Sequence, residues 1–192
     1  MYNGDFSVRP YLVAATTTDD RWIDGTDGGT DGGEANSWPF YWGMNGGGGG
    51  TYAASFVTKD GRNALCIETT SASAYIEVIG GKRGGISDRK IIPVKSNTTY
   101  RYKVTMKTQV ISGDATNGAW MNLLEVNSAN TGIVSNNTPF IKTDTDWTTY
   151  TVEFTTNSAT VAIEPRMQVY GHQGDADLIM KAWFSDITLT EV

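Results

Sequence analysis

Five consecutive runs in the C-terminal half constrain this chain most: RYKVTMKTQV, GAWMNLLEV, DWTTYTVEFTT, ATVAIEPRMQVYG and ADLIMKAWFSDITLTEV. Each alternates apolar and polar residues with a period of two, and each is bounded by Gly, Asn, Asp or Ser. That is the pattern of half-buried strands in an antiparallel all-β domain. The chain is therefore expected to form a β-sandwich with almost no helix. A sheet face that binds something follows more naturally from it than a buried catalytic pocket.

Faces can be assigned strand by strand, because successive side chains point to opposite sides. In RYKVTMKTQ, Tyr100, Tyr102, Val104 and Met106 share the side suited to the core, while Arg101, Lys103, Thr105, Lys107 and Gln109 share the other. In ATVAIEPRMQVYG the apolar set is Val161, Ile163, Met167 and Val169, opposite Glu164, Arg166, Gln168 and Tyr170. Pro165 lacks an N–H, which predicts an edge strand or a bulge there. In GAWMNLLEV, Ala119, Met121 and Leu123 alternate with Trp120, Asn122 and Leu124. The expected core includes Tyr102, Val104, Met121, Val152, Phe154, Ile163 and Leu189, and a bulge is expected at Ser185 and Asp186.

A length of 192 residues fits one such domain, 1–192, with enough chain to bury about two-thirds of its unfolded surface without staples. Cys66 is the single cysteine, which excludes an internal disulfide framework, and between Leu65 and Ile67 it reads as a small buried apolar residue. The formal charge of −6 and the lack of a basic run weigh against nucleic acid. No apolar stretch approaches a membrane span, and MYNGDFSV lacks the basic and apolar regions of a signal peptide. Residues 24–50 carry DGTDGGTDGGE and MNGGGGG, which mark long loops. The acids Asp24, Asp27 and Asp31 there do not follow the EF-hand spacing and read as an acidic solvent loop. Between the glycine tracts, ANSWPFYWGM sets Trp38, Phe40, Tyr41 and Trp42 together as a possible loop-tip platform.

The order of several pieces resembles a family. NGDF at Asn3 to Phe6, a Tyr-rich strand after the turn SNTT, DWTTYTVEFTT and a last strand of the form FSDITL are similar to the carbohydrate-binding modules of the family 4, 9 and 22 group. The similarity covers the first few residues and roughly the last hundred. It implies a jelly roll that binds a polysaccharide or oligosaccharide without cleaving it. It also implies an extracellular, virion or cell-surface setting, with the domain appended to a larger enzyme or virion protein. Trp147 and Tyr150 fall where the family keeps a structural Trp and Tyr. The family commonly holds a structural Ca2+ between its first and last strands, and Asp186, with Asp5, matches the positions of the ligands. Ca2+ takes six to eight oxygens at about 2.3–2.6 Å; the family's acidic position after NGDF is Ser7 here.

Sugar recognition needs a stacking ring for the apolar C–H face and planar polar groups for the hydroxyls. The residues that fit are Trp120, Asn122, Arg166, Gln168 and Tyr170 on a sheet face, with Glu164 and His172 at the rim, Lys103 nearby, and the Trp38, Tyr41 and Trp42 cluster as a second platform. Each also has a plain reading. Trp120 and Tyr170 suit simple cover of a sheet, Arg166 and Glu164 suit an ion pair with each other or a solvated charge ladder that takes in Lys103, Trp183 suits packing, and His172 suits a polar loop. Catalytic motifs are missing: there is no GxSxG, HExxH or P-loop. A glycosidase needs only two carboxylates, for which Glu153, Glu164, Asp175 and Asp177 are candidates. QVYGHQ has the residue types of a jelly-roll lyase without a second basic strand motif. A third class is a structural or receptor-binding domain of a phage tail or cell-surface assembly.

Overall fold

The computed structural model describes residues 42–48, 50–80, 82–83, 86–87, 92–114, 116–170 and 177–192, and every regular element among them is a strand. In chain order these are β1 (Trp42–Gly48), β2 (Tyr52–Lys59), β3 (Arg62–Thr69), β4 (Ala74–Gly80), β5 (Lys82–Arg83), β6 (Ile86–Ser87), β7 (Ile92–Pro93), β8 (Thr99–Ser112), β9 (Gly118–Asn127), β10 (Gly132–Asn137), β11 (Thr145–Thr155), β12 (Thr160–Tyr170) and β13 (Ile179–Glu191). Asp60 and Gly61 join β2 to β3 with φ of 51° and 78°, and pairing begins at once from Lys59 and Arg62. A two-residue Asp-Gly loop with both φ positive matches the twist of the strands it joins, so this hairpin's register is fixed locally.

Two antiparallel sheets form a jelly-roll sandwich. The first runs β1-β4-β12-β9-β10, with β7 also pairing β12, and the second runs β11-β8-β13-β3-β2; β5 and β6 pair separately. The central neighbours β4 and β12, and β3 and β13, are far apart in sequence. Closing them is a long-range event that only a shared core can hold. The first sheet supplies Ile76, Val78, Met121, Leu123, Met167 and Val169 to that core, and the second supplies Leu65, Ile67, Tyr102, Val104, Met106 and Phe184. Of the expected core, Tyr102, Val104, Met121, Phe154 and Ile163 are buried in it, and Val152 and Leu189 pack against it partly buried.

Two local expectations need correction. β12 is an inner strand, so Pro165 is not at an edge. It pairs β7 at Ala162 and Ile163 and β4 from Arg166 onward, so Glu164 and Pro165 fall in the handover between these two partners, where a missing N–H costs no ladder bond on that side. Val161 is exposed rather than in the core, because the register of β12 on β9 shifts between Thr160 and Ala162 and moves Val161 out of phase with Ile163. The bulge expected in the last strand is present: pairing with β8 shifts between Ser185 and Thr188, and Asp186 has φ 52°.

Candidate ligand-binding face

The outward face of the first sheet is set by three adjacent strands in continuous register. Tyr170 of β12 lies between Tyr75 of β4 and Gly118 of β9; Gln168 between Glu77 and Trp120; Arg166 between Ile79 and Asn122. Asn137 of β10 continues the last rung beyond Asn122. Period-two alternation thus gathers Trp120, Asn122, Glu164, Arg166, Gln168 and Tyr170 on one face. Lys103 is not among them. It lies on β8 between Thr151 and Thr188, on the outward face of the other sheet, so the whole sandwich separates it from Arg166.

A row of aromatic rings crosses one end of this face. Tyr75 stacks on Tyr170 at 5.3 Å between centroids and 27° between planes, Tyr170 meets Trp120 at 5.2 Å and 42°, and Trp120 meets Phe140 edge-on at 4.9 Å and 87°. Such offset and edge contacts are the favourable ones for rings. Trp120 is only 9% exposed, whereas Phe140 at the end of the row is 44% exposed. Gly118 opens β9 beside the row with φ 72°, and a Cβ there would lie 2.1 Å from the Ile141 carbonyl oxygen. Only glycine lets β9 run so close to the segment that carries Phe140. Burial, then the nearby Glu77 and Tyr75, raises the Tyr170 phenol above its ordinary value. It is therefore a neutral hydroxyl near neutral pH, able to donate and accept.

The polar part of the face is unusually enclosed. Glu164 is 1% exposed and accepts from Arg166 through Nε at 2.6 Å and Nη2 at 2.5 Å, while Arg166 Nη1 reaches Glu77 Oε2 at 3.4 Å. The alternative pairing of Arg166 with Glu164 is thus realised, and Glu77 joins it. Asn122 is 5% exposed; its Nδ2 donates to Asn137 Oδ1 at 2.6 Å, and its Oδ1 is buried without a partner. An unmet buried carbonyl costs about 1–3 kcal/mol. Gln168 is buried between Glu77 and Trp120.

Tyr75, Glu77, Phe140 and Asn137 were not among the residues expected on the face. For Tyr75 and Glu77 the signal existed in the alternation of AYIEVIG around Ile76 and Val78; what no local pattern gives is that β4 lies beside β12. Asn137 reaches the face through the pairing of β10 with β9, and Phe140 through the segment after β10, which Ile141 bridges back to Ala119. Asp5, Trp38, Tyr41 and His172 lie outside the described residues, as do most of residues 24–50; the loop expected through residue 50 is instead strand β1 over Trp42–Gly48, held by its pairing along β4, so Trp42 opens a strand opposite Gly80 rather than sitting on a loop tip. Glu153 pairs with Arg101 on the outward face of the second sheet, so it and Glu164 stand on opposite sides of the sandwich and form no catalytic pair.

The second sheet's outward face differs in kind. Trp183, Cys66 and Ala64 form a small buried cluster with Val57 and Trp147 against it. Lys59 Nζ lies 5.2 Å from the Trp183 ring centroid and the Arg62 guanidinium 5.7 Å from that of Trp147. Burial pushes the Cys66 thiol up to about 12, which leaves it an inert apolar group. Tyr150 packs against the main core. Asp186, the expected Ca2+ ligand, is half exposed and bonds Arg62 Nη1 at 2.5 Å. Its Oδ2 is thus engaged by a guanidinium, while Asp5 and the N-terminal segment that would complete a Ca2+ site lie outside the described residues. No group of three or more His, Cys, Asp or Glu side chains among the described residues stands close enough to hold a metal.

No family model and no curated protein matches the sequence. Solved structures do share its fold. The enzymatically active domain of tailspike protein 4 of bacteriophage CBA120 superposes with a TM-score of 0.56 at 9% identity, over 92% of this chain and 22% of that one. A CBM4 structure superposes at 0.52 and 14% identity, over 99% of this chain and 98% of that one. The Stig cyclase Fisc from Fischerella sp. TAU, in complex with an indole derivative, does so at 0.52 and 14%, over 100% and 96%. The same sandwich therefore occurs in a whole sugar-binding module, in a whole cyclase and as a fifth of a tailspike chain.

Proposed function

We propose that this chain, which has the jelly-roll fold of the carbohydrate-binding modules, binds a glycan on the outward face of its first sheet without cleaving it. The observation that carries the reading is the register of β4, β12 and β9, which sets an aromatic row directly beside Arg166, Gln168, Asn122 and Glu77 on one rigid surface. Rings offer stacking area, the amides and the guanidinium offer planar hydrogen bonds, and strand positions hold both with little ordering cost on binding. The raised phenol of Tyr170 supports binding rather than proton abstraction, since a catalytic base needs the opposite shift. Function lives in sites rather than folds, so the likeness to a cyclase does not bring its chemistry here.

Calorimetry against plant, algal and bacterial polysaccharides tests the reading. Binding with a Kd near micromolar, about −8 kcal/mol, is expected for a cleft of this kind, with no release of reducing or unsaturated ends. Heat with no polysaccharide would overturn it, and released ends would replace it with glycan cleavage. A second reading rests on the tailspike likeness over 92% of this chain: the sandwich serves as a receptor-binding or spacer domain of a larger surface or virion assembly. Glycan binding by the isolated domain is compatible with the first role and not with a pure spacer.

A further inference from the structure

Strand β10 ends the first sheet and, among the described residues, pairs β9 alone. Thr138 donates its N–H to Met121 O just past the strand. The alternation of an antiparallel ladder therefore points the backbone groups of Val134, Asn136 and Thr138 at β9, and those of Ser135 and Asn137 at the open edge. An open row of N–H and C=O groups is a template for another strand, and edges are commonly guarded by charge. The edge strand β11 of the second sheet has such a guard in the exposed Asp146 and Glu153. β10 has none: the sequence from Val126 to Ile141 holds no charged residue, and of the two charges that bound it Glu125 is buried.

Exposed apolar side chains stand at both ends of this edge. Ile133 and Val134 lie where the β10 register shifts, and Phe140 follows the strand's end. Pro139 has no N–H to offer, so a partner strand pairs only over the short stretch before it. A second copy running antiparallel, about a two-fold axis at Asn136, meets these conditions. Ser135 of each copy then exchanges N–H to C=O bonds with Asn137 of the other, and Ile133 and Val134 of each come against Phe140 of the other. Such a contact is isologous, so one patch serves both sides. It also suits a chain of net charge −6, whose copies repel each other except along a neutral strip.

We infer that β10 is a self-association edge, through which two copies of this chain join their first sheets into one continuous sheet. The two-fold axis stands perpendicular to that sheet, so both outward faces look the same way. On the glycan-binding reading, one polymer chain then engages two sites. Sedimentation velocity on the intact chain, without glycan, tests the association. A dimer is expected to form as concentration rises toward about 1 mM. Ser135→Pro removes an N–H that makes no bond to β9, and Ile133→Lys sets a charge at the edge; each is expected to weaken the dimer at least about tenfold. Ile111→Lys, the same change at an exposed apolar residue of β8, is expected to leave it at the parent level. A parent chain that stays monomeric at about 1 mM overturns the inference and leaves the edge to a different chain. So does a dimer that both edge variants leave intact, or one that Ile111→Lys weakens as much as they do. The parent's mass needs no variant, so poor folding of either edge variant does not protect the inference. Because no glycan is present, failure here leaves the glycan-binding reading standing, and failure of that reading leaves the dimer standing.

Discussion

The two outward faces of this sandwich follow the same alternation rule and end in different physical states. On the second sheet the charged residues pair exposed or half-buried, and none is buried: Arg101 with Glu153, Lys107 with Asp60 and Asp146, and Lys181 with Glu68. On the first sheet Glu164, Asn122 and Gln168 are all buried beside an aromatic row. Exposed pairs contribute little and cost little, whereas buried polar groups are costly unless met. A chain that needed only a soluble sheet surface would build the first arrangement twice. The difference supports the proposal that places the ligand on the first sheet.

Ways to break that comparison run from large effects to small. Arg166→Ala leaves Glu164 buried with its guanidinium gone, and a loss of about 3–5 kcal/mol of stability is expected, against at most about 1 kcal/mol for Arg101→Ala at an exposed pair. Urea unfolding of the two variants measures both, and equal losses would mean the faces are not different in kind. Trp120→Ala is expected to weaken glycan binding by about 1–3 kcal/mol, from roughly fivefold to more than a hundredfold. Trp183→Ala, which opens the Cys66 cluster on the other face, should lower stability and leave binding alone. Binding lost in Trp183→Ala and kept in Trp120→Ala would move the ligand to the second sheet and overturn the proposed face.

Acid titration gives a smaller contrast. Asp60 is held below the ordinary carboxylate value chiefly by its hydrogen bond to Lys107, and Asp146 first by the Trp147 backbone N–H and then by Lys107. Groups with lowered folded values stabilise above the unfolded carboxylate value and lose that contribution as pH falls through the folded one. The window therefore lies below about pH 4. Lys107→Met should lower stability near neutrality, where that contribution is present, and flatten the curve below about pH 4 so that variant and parent converge in acid; a loss of the same size at every pH would refute the pairing. The smallest effect concerns Asp186. Its pairing with Arg62 implies that Asp186→Ala lowers stability by no more than loss of an exposed ion pair does, within about 1 kcal/mol, equally in Ca2+ and in chelator. A Ca2+-dependent rise that vanishes in this variant would establish the metal assignment.

Alternation by itself determined which side chains of each strand face together. Trp120 with Asn122, Arg166 with Gln168, and Tyr102 with Val104 are period-two facts, and local sterics enforce them whatever the strand pairs with. The Asp60-Gly61 turn was equally local. Tertiary structure alone decided which strands are neighbours. It put β4 beside β12 and so added Tyr75 and Glu77 to the face, and it carried Lys103 to the far side of the sandwich. It turned Asp186 to Arg62, and through the β7-to-β4 handover it gave Pro165 an inner-strand position. Each of these depends on contacts between residues distant in the chain. No local pattern encodes them, because a polar strand face is equally content with solvent, an ion pair or a ligand until the opposing strand is chosen.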